Sequence, residues 1–210
     1  MSERRADAGR ARLGVLISGR GSNLQALIHA IEHGELDAEI GVVISNRSSA
    51  GGLDLARAAG IETMVLDHRH FATREDYDER LAQELHARSV TLICLAGFMR
   101  LVSPRLLDAF PDAVLNIHPS LLPSFPGVDA QQQALAHGVK VTGATVHLVT
   151  SELDAGPIVL QAAVPVQDDD TIETLSQRIL VEEHRIYPAA VAVVLAGGWR
   201  VDGRRFLRNR

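Results

Sequence analysis

Aromatic residues and cysteine are scarce in this sequence. Aromatic side chains occupy 4% of the 210 positions, so leucine, valine, isoleucine and alanine must supply the hydrophobic core. The single cysteine, Cys94, excludes an internal disulfide framework and any metal site built from several cysteines. Because Cys94 lies within an apolar segment, we expect it to be inert packing.

Basic charge is not in excess either. Lysine and arginine number 21 against 26 aspartates and glutamates, which gives a net charge of −5 and argues against a nucleic-acid partner. The longest apolar run, residues 189–199, is shorter than the roughly 20 residues that a membrane-spanning helix needs. Residues 1–12 carry no apolar signal-peptide core. We therefore expect a cytoplasmic protein with no membrane partner.

Apolar segments alternate with helical patterns along the first half of the chain. Apolar runs without polar alternation are typical of strands covered on both faces, and their alternation with helices predicts an α/β fold with a doubly wound, mostly parallel sheet. The predicted strands are residues 13–18, 40–45, 62–66, 90–96 and 113–117. The predicted helices are residues 22–33, 52–59, 73–88 and one that begins at Ser103-Pro104.

The second half of the chain has a different pattern. Residues 139–150 and 158–167 are predicted strands joined by a Gly/Asp loop, which favours a mixed or antiparallel edge. Thr171 is the predicted N-cap of a long C-terminal helix that is interrupted or kinked at Pro188. Asp202-Gly203 predicts a hairpin turn. The expected organisation is a flexible N-terminus (1–11), one domain (12–197) and a basic, hairpin-like tail (198–210).

The loop after the first predicted strand, Ser18-Gly-Arg-Gly-Ser-Asn23, has the features of an anion site. Its glycines allow a tight turn and close approach of a ligand, and the helix start supplies free N–H groups and a favourable dipole. Leu24 stands where a dinucleotide loop needs glycine, so a smaller phosphate ligand is predicted. The alternative is a plain glycine turn with Ser22 as N-cap.

A polar pair ends the fifth predicted strand. Asn116 and His118 are two residues apart and therefore project from the same face. Asparagine can donate hydrogen bonds to an oxyanion, and histidine can transfer protons near neutral pH. Asp154, before the turn at Gly156-Pro157, is the candidate third member and would raise the pKa of His118. Its alternative role is that of an ordinary turn residue.

The remaining polar clusters have simpler interpretations. His68 and His70 lack an evident third ligand and are predicted to lie in a solvated loop. Glu182-Glu183-His184 is predicted to be a solvated stretch of helix. The sequence contains no Gly-x-Ser-x-Gly motif, which argues against a serine hydrolase. We expect a protein without a metal.

Five motifs stand in the order and spacing of a known enzyme family. They are Leu-Ile-Ser-Gly-x-Gly-Ser-Asn-Leu-Gln (16–25), Leu-Ala-Gly-Phe-Met-Arg (95–100), Leu-Asn-Ile-His-Pro-Ser-Leu-Leu-Pro (115–123), Glu-Leu-Asp-x-Gly-Pro (152–157) and Glu-His-x-Ile-Tyr-Pro (183–188). Through them the chain resembles the phosphoribosylglycinamide formyltransferases, folate-dependent enzymes of purine synthesis, over residues 12–196.

The resemblance implies a Rossmann-like formyltransferase fold and direct transfer of a formyl group from 10-formyltetrahydrofolate to the amine of glycinamide ribonucleotide. Asn116 and His118 would stabilise the tetrahedral oxyanion, with His118 as proton donor. Asp154 would keep His118 charged and help to remove the amine proton through water.

The resemblance also implies two binding sites. Glycinamide ribonucleotide would be held by Gly21, Ser22, Asn23 and Glu183. The folate co-substrate would be held by Arg74, Met99, Arg100, Leu101, Val102, Asn116, Thr150, Ser151, Glu152, Leu153 and Asp154.

Two departures from the family pattern stand out. Val128-Asp129-Ala130 replaces a segment that often carries a histidine, which affects local contacts near the formyl or phosphate pocket. Thr145 stands where serine is common and keeps the hydroxyl.

Other activities and assemblies stay open at this point. A hydrolase of formyltetrahydrofolate and a formyltransferase acting on charged transfer RNA or a sugar nucleotide share this chemistry, but such relatives usually carry an extra domain for which 210 residues leave no room. A non-catalytic folate- or nucleotide-binding module is a further alternative. A homodimer is compatible with the sequence, although no residue identifies its interface.

Overall fold

The computed structural model describes residues 10–209, and a nine-stranded sheet runs through that part of the chain. The strands are β1 (Ala11–Ile17), β2 (Ala38–Ser45), β3 (Thr63–Val65), β4 (Leu92–Leu95), β5 (Val114–His118), β6 (Val141–Leu148), β7 (Ile158–Pro165), β8 (Trp199–Asp202) and β9 (Arg205–Arg208). The helices are α1 (Ser22–Glu32), α2 (Gly52–Ala58), α3 (Arg74–Ala87), α4 (Pro104–Ala109), α5 (Ala130–Ala136) and α6 (Ile172–Leu195). The strand order is β3-β2-β1-β4-β5-β6-β7-β9-β8.

Both faces of the sheet are covered, which confirms the predicted doubly wound α/β class. Successive side chains of β4 point to opposite sides: Leu92 and Cys94 join the core under α1 and α6, whereas Ile93 and Leu95 join the core under α3 and α4. Strands buried on two sides need apolar residues at every position, which is the pattern seen in the sequence.

The order in which strands are added to the sheet reverses between β1 and β4, although these two strands are parallel. From β1 the chain proceeds outward through β2 and β3, and it then returns to β4 on the other side of β1, with all four pairings along β3-β2-β1-β4-β5 parallel. Such a reversal opens a crevice at the carboxyl ends of the two strands, where open α/β sheets bind ligands. The loops that follow β1 and β4 therefore face each other across this crevice.

The second half of the sheet is mixed, as the sequence predicts. Strand β6 pairs antiparallel with both β5 and β7. Thr171 caps α6 by accepting a hydrogen bond from the amide of Thr174. The expected interruption at Pro188 is absent, because α6 is one continuous helix of 24 residues. Buried side chains on both sides of the proline, including Tyr187 and Val191, hold the helix against the sheet and offset the lost backbone bond.

The C-terminal end of the chain forms a hairpin that joins the sheet. Of the predicted flexible N-terminus, residues 1–9 lie outside the described residues. At the other end, β8 and β9 form an antiparallel hairpin around Asp202-Gly203. Strand β9 pairs with β7 through Ile158 and Arg205, so the hairpin extends the sheet. Among the described residues, no helix is both long and apolar enough to cross a membrane.

Candidate active site

Four polar side chains meet where β5 and β6 lie side by side. Asn116 and His118 stand on β5, His147 on β6 is the register partner of Asn116, and Asp154 lies in the loop after β6. His118, His147 and the Asp154 side chain are all less than 10% exposed. The structure therefore brings together the three residues predicted from the sequence and adds a fourth.

His118 has a protein partner at each ring nitrogen. Its Nε2 lies 2.8 Å from the Phe125 carbonyl oxygen, which can only accept, so Nε2 carries a proton. Its Nδ1 lies 3.5 Å from Oδ2 of Asp154. Burial lowers the pKa of His118 and outweighs the opposing effects of the Phe125 contact and the Asp154 carboxylate. Asp154 thus acts in the expected direction, but burial is the larger effect and the net shift of the His118 pKa is downward.

Asp154 lies close to two imidazole rings and accepts a hydrogen bond from one backbone amide. Besides His118, its Oδ1 lies 3.6 Å from Nε2 of His147, and its Oδ2 accepts a 2.8 Å hydrogen bond from the Gly127 amide. Burial alone would raise the pKa of Asp154, but the His147 ring and the Gly127 amide outweigh it and lower the pKa. Asp154 is therefore ionised at neutral pH.

His147 is a site residue that the sequence interpretation does not identify. Its Nδ1 lies 3.0 Å from the Leu148 carbonyl oxygen and so donates to it, and its Nε2 lies 3.1 Å from Nδ2 of Asn116. When Nε2 carries no proton, it accepts from Nδ2 and so orients the Asn116 amide. The register of β6 on β5 produces the pairing, and one sequence contains no direct signal of that register.

The proline-containing loop after β5 is held by one hydroxyl. Thr145 donates to the Ser120 carbonyl at 2.7 Å and accepts from the Leu122 amide at 3.1 Å and from the Gln161 side chain at 2.9 Å. Thr145 is fully buried. This network fixes the start of the loop that carries the Phe125 carbonyl to His118, so the hydroxyl at position 145 has a structural role that serine also satisfies.

Backbone in the left-handed region occurs in this loop and at Asp154 in the loop after β6. Phe125, Asp129 and Asp154 are non-glycine residues with φ of 55°, 57° and 50°. Such values cost free energy and accumulate at functional sites. Asp129 precedes α5, a helix that the sequence interpretation does not predict, and Val128 before it is 74% exposed. The segment 128–130, which departs from the family pattern, therefore begins with an exposed apolar side chain.

The first loop has the geometry of an anion cradle. Gly21, with φ of 81°, caps α1, and a Cβ at this position would lie 2.6 Å from the Cα of Gly52. Only glycine fits both conditions. Ser22 is the first residue of α1 rather than its N-cap. Asn23, in the first turn of α1, donates from Nδ2 to Oε2 of Glu183 on α6 at 2.7 Å.

Glu183 is buried, not solvated as its local sequence suggests. It is 7% exposed, and burial raises the pKa of its carboxyl against the lowering effect of the Asn23 hydrogen bond. The second amide atom of Asn23, Oδ1, is buried without a partner. The structure thus joins two of the residues predicted to bind glycinamide ribonucleotide, and it leaves one acceptor at the pair unused.

The residues predicted for the folate site differ in their exposure to solvent. Met99 and Leu101 after β4 are 67% and 55% exposed, Leu153 in the loop after β6 is 52% exposed, and Val102 is buried. Arg100 lies with its guanidinium carbon 4.9 Å from the Tyr77 ring centroid. The other members of this set, Arg74, Thr150, Ser151 and Glu152, are exposed. The segment after β4 contacts the first loop through Ser18 N to Gly97 O, at 3.1 Å.

The surroundings of Cys94 and of the pair His68 and His70 give these residues structural roles. Burial raises the pKa of Cys94 to about 12, so this thiol is inert in the core. His68 and His70 lie on one 3-10 turn that Asp67 caps by accepting from the Arg69 amide. In residues 10–209 no three histidine, cysteine, aspartate or glutamate side chains are grouped closely enough to hold a metal ion.

Comparison with known proteins gives consistent matches. The family model described as formyl transferase matches residues 11–191. The chain is 44% identical over 190 residues to phosphoribosylglycinamide formyltransferase of Escherichia coli, a match that covers 90% of this chain and 87% of that one. It is 49% identical over 188 residues to the human trifunctional purine biosynthetic protein adenosine-3, covering 90% of this chain but only 19% of that much longer protein.

A solved structure is similar over the whole chain. Glycinamide ribonucleotide transformylase 1 from Symbiobacterium toebii superposes with a TM-score of 0.95 at 50% identity, covering 100% of this chain and 99% of that one. The resemblance inferred from the five motifs is therefore confirmed at the level of family and fold.

Proposed function

Because the chain belongs to the formyl transferase family, we propose that it is a phosphoribosylglycinamide formyltransferase. It transfers the formyl group of 10-formyltetrahydrofolate to the amine of N1-(5-phosphoribosyl)glycinamide, giving the N-formyl product and tetrahydrofolate in purine biosynthesis. The observation that supports this most directly is the buried meeting of Asn116, His118 and Asp154 beside the crevice.

In the proposed reaction the substrate amine attacks the formyl carbon, and the carbonyl oxygen becomes an oxyanion. Asn116 donates to this oxygen from Nδ2, whose orientation His147 fixes. The new negative charge favours the proton on His118 and so opposes the effect of burial, which disfavours it. His118 then gives that proton to N10 of the folate as the carbon–nitrogen bond breaks. Asp154, which is ionised, takes the amine proton through water.

One His118 contact must change before proton transfer. In the present structure its nitrogens face the Phe125 carbonyl and Asp154. A nitrogen that donates to a backbone carbonyl cannot at the same time donate to the reacting atoms. We infer that the substrates displace the Phe125 carbonyl and leave the Asp154 contact, which stabilises the charged ring.

The first loop and α6 bind glycinamide ribonucleotide in this proposal. The N–H groups at the start of α1 take the phosphate, with Gly21, Ser22 and Asn23 around it. The Glu183 carboxylate accepts from ribose hydroxyls, and the unused Oδ1 of Asn23 is a further acceptor next to it. A substrate with one anionic end and hydroxyls beside it fits this arrangement of donors and acceptors.

The folate binds along the segment after β4 and the loop after β6. Exposed Met99, Leu101 and Leu153 offer apolar surface to a flat ring system, and Arg74 and Arg100 offer positive charge to its carboxylates. Thr150, Ser151 and Glu152 border the same loop.

The chain handles small molecules only and works in the cytoplasm in this proposal. Its net charge of −5 does not favour nucleic acid, and its single cysteine suits a reducing compartment.

The test is a transfer assay with purified protein. Incubation with 10-formyltetrahydrofolate and glycinamide ribonucleotide, without added metal, should yield the N-formyl product and tetrahydrofolate in equal amounts, measured by mass spectrometry. Formate release in the absence of the amine, with no formylated product in its presence, would instead indicate a hydrolase. Binding of both ligands without turnover would indicate a binding module.

A conservative change at Glu183 tests the nucleotide site separately. Glu183→Gln keeps the shape of the side chain but removes its charge. A hydrogen bond to a charged group is stronger than one to a neutral group, and the difference corresponds to about a tenfold change in binding affinity. We expect KM for glycinamide ribonucleotide to rise about tenfold and KM for the folate to stay unchanged. The matched control is Glu182→Gln, whose carboxylate pairs with Arg185 on the outer face of α6. Equal effects of the two substitutions would contradict the role of Glu183.

A further inference from the structure

The segment between β4 and α4 is irregular but sharply divided between exposed and buried side chains. Met99 and Leu101 point outward at 67% and 55% exposure, whereas Val102 and Ser103 are buried. Residues 99–103 form no helix or strand. Backbone groups outside a helix or sheet need other partners when they are buried. Side chains from elsewhere in the fold must therefore set the shape of this segment.

Ser18 holds the beginning of the segment. Its hydroxyl accepts a 2.8 Å hydrogen bond from the Met99 amide and donates a 2.7 Å bond to Oδ1 of Asn46. Ser18 and Asn46 are 5% and 2% exposed. The hydroxyl is thus oriented by a buried amide side chain, and its lone pair faces Met99.

Asp78 holds the end of the segment. It lies on α3, is 1% exposed, and accepts a hydrogen bond from the Ser103 amide through Oδ2. The buried amide of Ser103 would otherwise lack a partner at the start of α4. Burial raises the pKa of Asp78, and the Ser103 bond and the charge of Arg100 oppose this rise. Burial of a carboxyl group costs free energy unless the group is hydrogen-bonded, and the bond to the Ser103 amide offsets this cost for Asp78.

The neighbour of Asp78 on α3 supports the middle of the segment. The Arg100 guanidinium lies over the Tyr77 ring, and Tyr77 is fully buried. Two consecutive residues of α3 therefore contact two positions of the segment, residues 100 and 103. Helix α3 thus supports the buried side of this segment, while Met99 and Leu101 on its other side are exposed.

We propose that Asp78 is a positioning residue of the folate site, which fixes residues 99–103 in the shape that binds the co-substrate without contacting it. The inference rests on the proposed function, because that function assigns Met99 to Val102 to the folate. Without the Asp78 acceptor, the Ser103 amide loses its partner and the display of Met99 and Leu101 relaxes. Binding of glycinamide ribonucleotide, which uses α1 and α6, does not depend on this contact.

The experiment compares Asp78→Ala and Asp78→Asn with the wild-type protein. The alanine variant should raise KM for 10-formyltetrahydrofolate about tenfold, since displacement of binding groups by an ångström weakens their contacts, and should change KM for glycinamide ribonucleotide by less than about twofold. The asparagine variant keeps an oxygen that accepts from Ser103, so it should recover most of the loss. Ser18→Ala, at the other end of the segment, should resemble Asp78→Ala.

The control is Glu84→Ala on the same helix. Glu84 bonds Arg88 at 2.7 Å and Arg80 at 2.5 Å, so its loss weakens α3 without touching residues 99–103. Amide hydrogen exchange at residues 99–103 should accelerate in Asp78→Ala and not in Glu84→Ala. Similar KM values for the two variants, or an asparagine variant as impaired as alanine, would overturn the proposal.

Calorimetric binding of tetrahydrofolate separates this inference from the proposed function. A wild-type protein that binds tetrahydrofolate but does not formylate the amine contradicts the function, while weaker binding by Asp78→Ala still supports the role of Asp78. Equal binding by both proteins overturns that role alone. A wild-type protein that binds no tetrahydrofolate overturns both.

Discussion

Alanine at position 118 is expected to lower kcat by about 10²- to 10⁴-fold, the range that one general acid supplies. His118 is 5% exposed, faces the ionised Asp154 and lies two residues from Asn116 on β5. In the proposed reaction it is the group that carries a proton to the departing folate nitrogen. Alanine cannot do this, and water in its place is a weak acid.

The measurement is steady-state kinetics with both substrates varied. KM values should change much less than kcat, because His118 acts on the transition state and the binding residues stay in place. His33→Ala is the control, since His33 is exposed and bonds only within α1 and its end. Circular dichroism should show that both variants are folded. A His118→Ala protein within tenfold of wild-type kcat would contradict the assigned role.

The fold can be predicted largely because buried parallel strands leave a strong pattern. A strand covered on two sides must be apolar at every position, and residues 92–96 show this directly. Helix α5 is not predicted, because its seven residues include a run of three glutamines and show no apolar stripe. It also follows a proline-rich loop, which indicates irregular structure. Of the interruption or kink predicted at Pro188, the interruption is absent because packing of α6 on the sheet, which the local sequence does not reveal, outweighs a single lost bond.

The site divides in the same way. Asn116 and His118 are close in sequence and can be placed on one strand face from spacing alone. His147 and Asp154 reach them only through the pairing of β6 with β5 and the loop after β6. At position 156 a Cβ would lie 1.8 Å from the Leu148 carbonyl oxygen, so Gly156 lets this loop close against the strand. Such long-range contacts depend on the register between strands, which cannot be read from the local sequence of either strand alone.

Electrostatics is the least predictable part of the site. The expected contact of His118 with Asp154 suggests a raised histidine pKa, yet burial lowers it in the folded protein. Glu183 lies in a charged stretch that is typical of a solvated helix face, yet it is buried against Asn23. Both differences come from desolvation, which depends on the depth of a side chain in the whole fold.

Asparagine at position 154 is expected to lower kcat by about 10²- to 10³-fold and to move the pH optimum downward. The side chain keeps its size and an oxygen that accepts from the Gly127 amide, so the loop should stay in place. The charge, however, is lost. Because Asp154 raises the pKa of His118 against the larger effect of burial, its removal lowers that pKa further. A proton donor works only when protonated, so the rate falls at a lower pH than in the wild-type protein.

The control for this substitution has the same chemistry and the same backbone conformation. Asp112 has φ of 53°, close to the 50° of Asp154, but its side chain is exposed and it lies in the turn before β5, away from the pocket residues. Asp112→Asn should therefore leave kcat and the pH–rate profile unchanged. An Asp154→Asn profile with reduced height but an unmoved alkaline limb would mean that Asp154 acts through the amine proton alone. A profile with reduced height and an alkaline limb shifted to lower pH would show that the Asp154 carboxylate also stabilises the charged form of His118. The contacts of Asp154 with His118 at 3.5 Å and with His147 at 3.6 Å favour this second outcome.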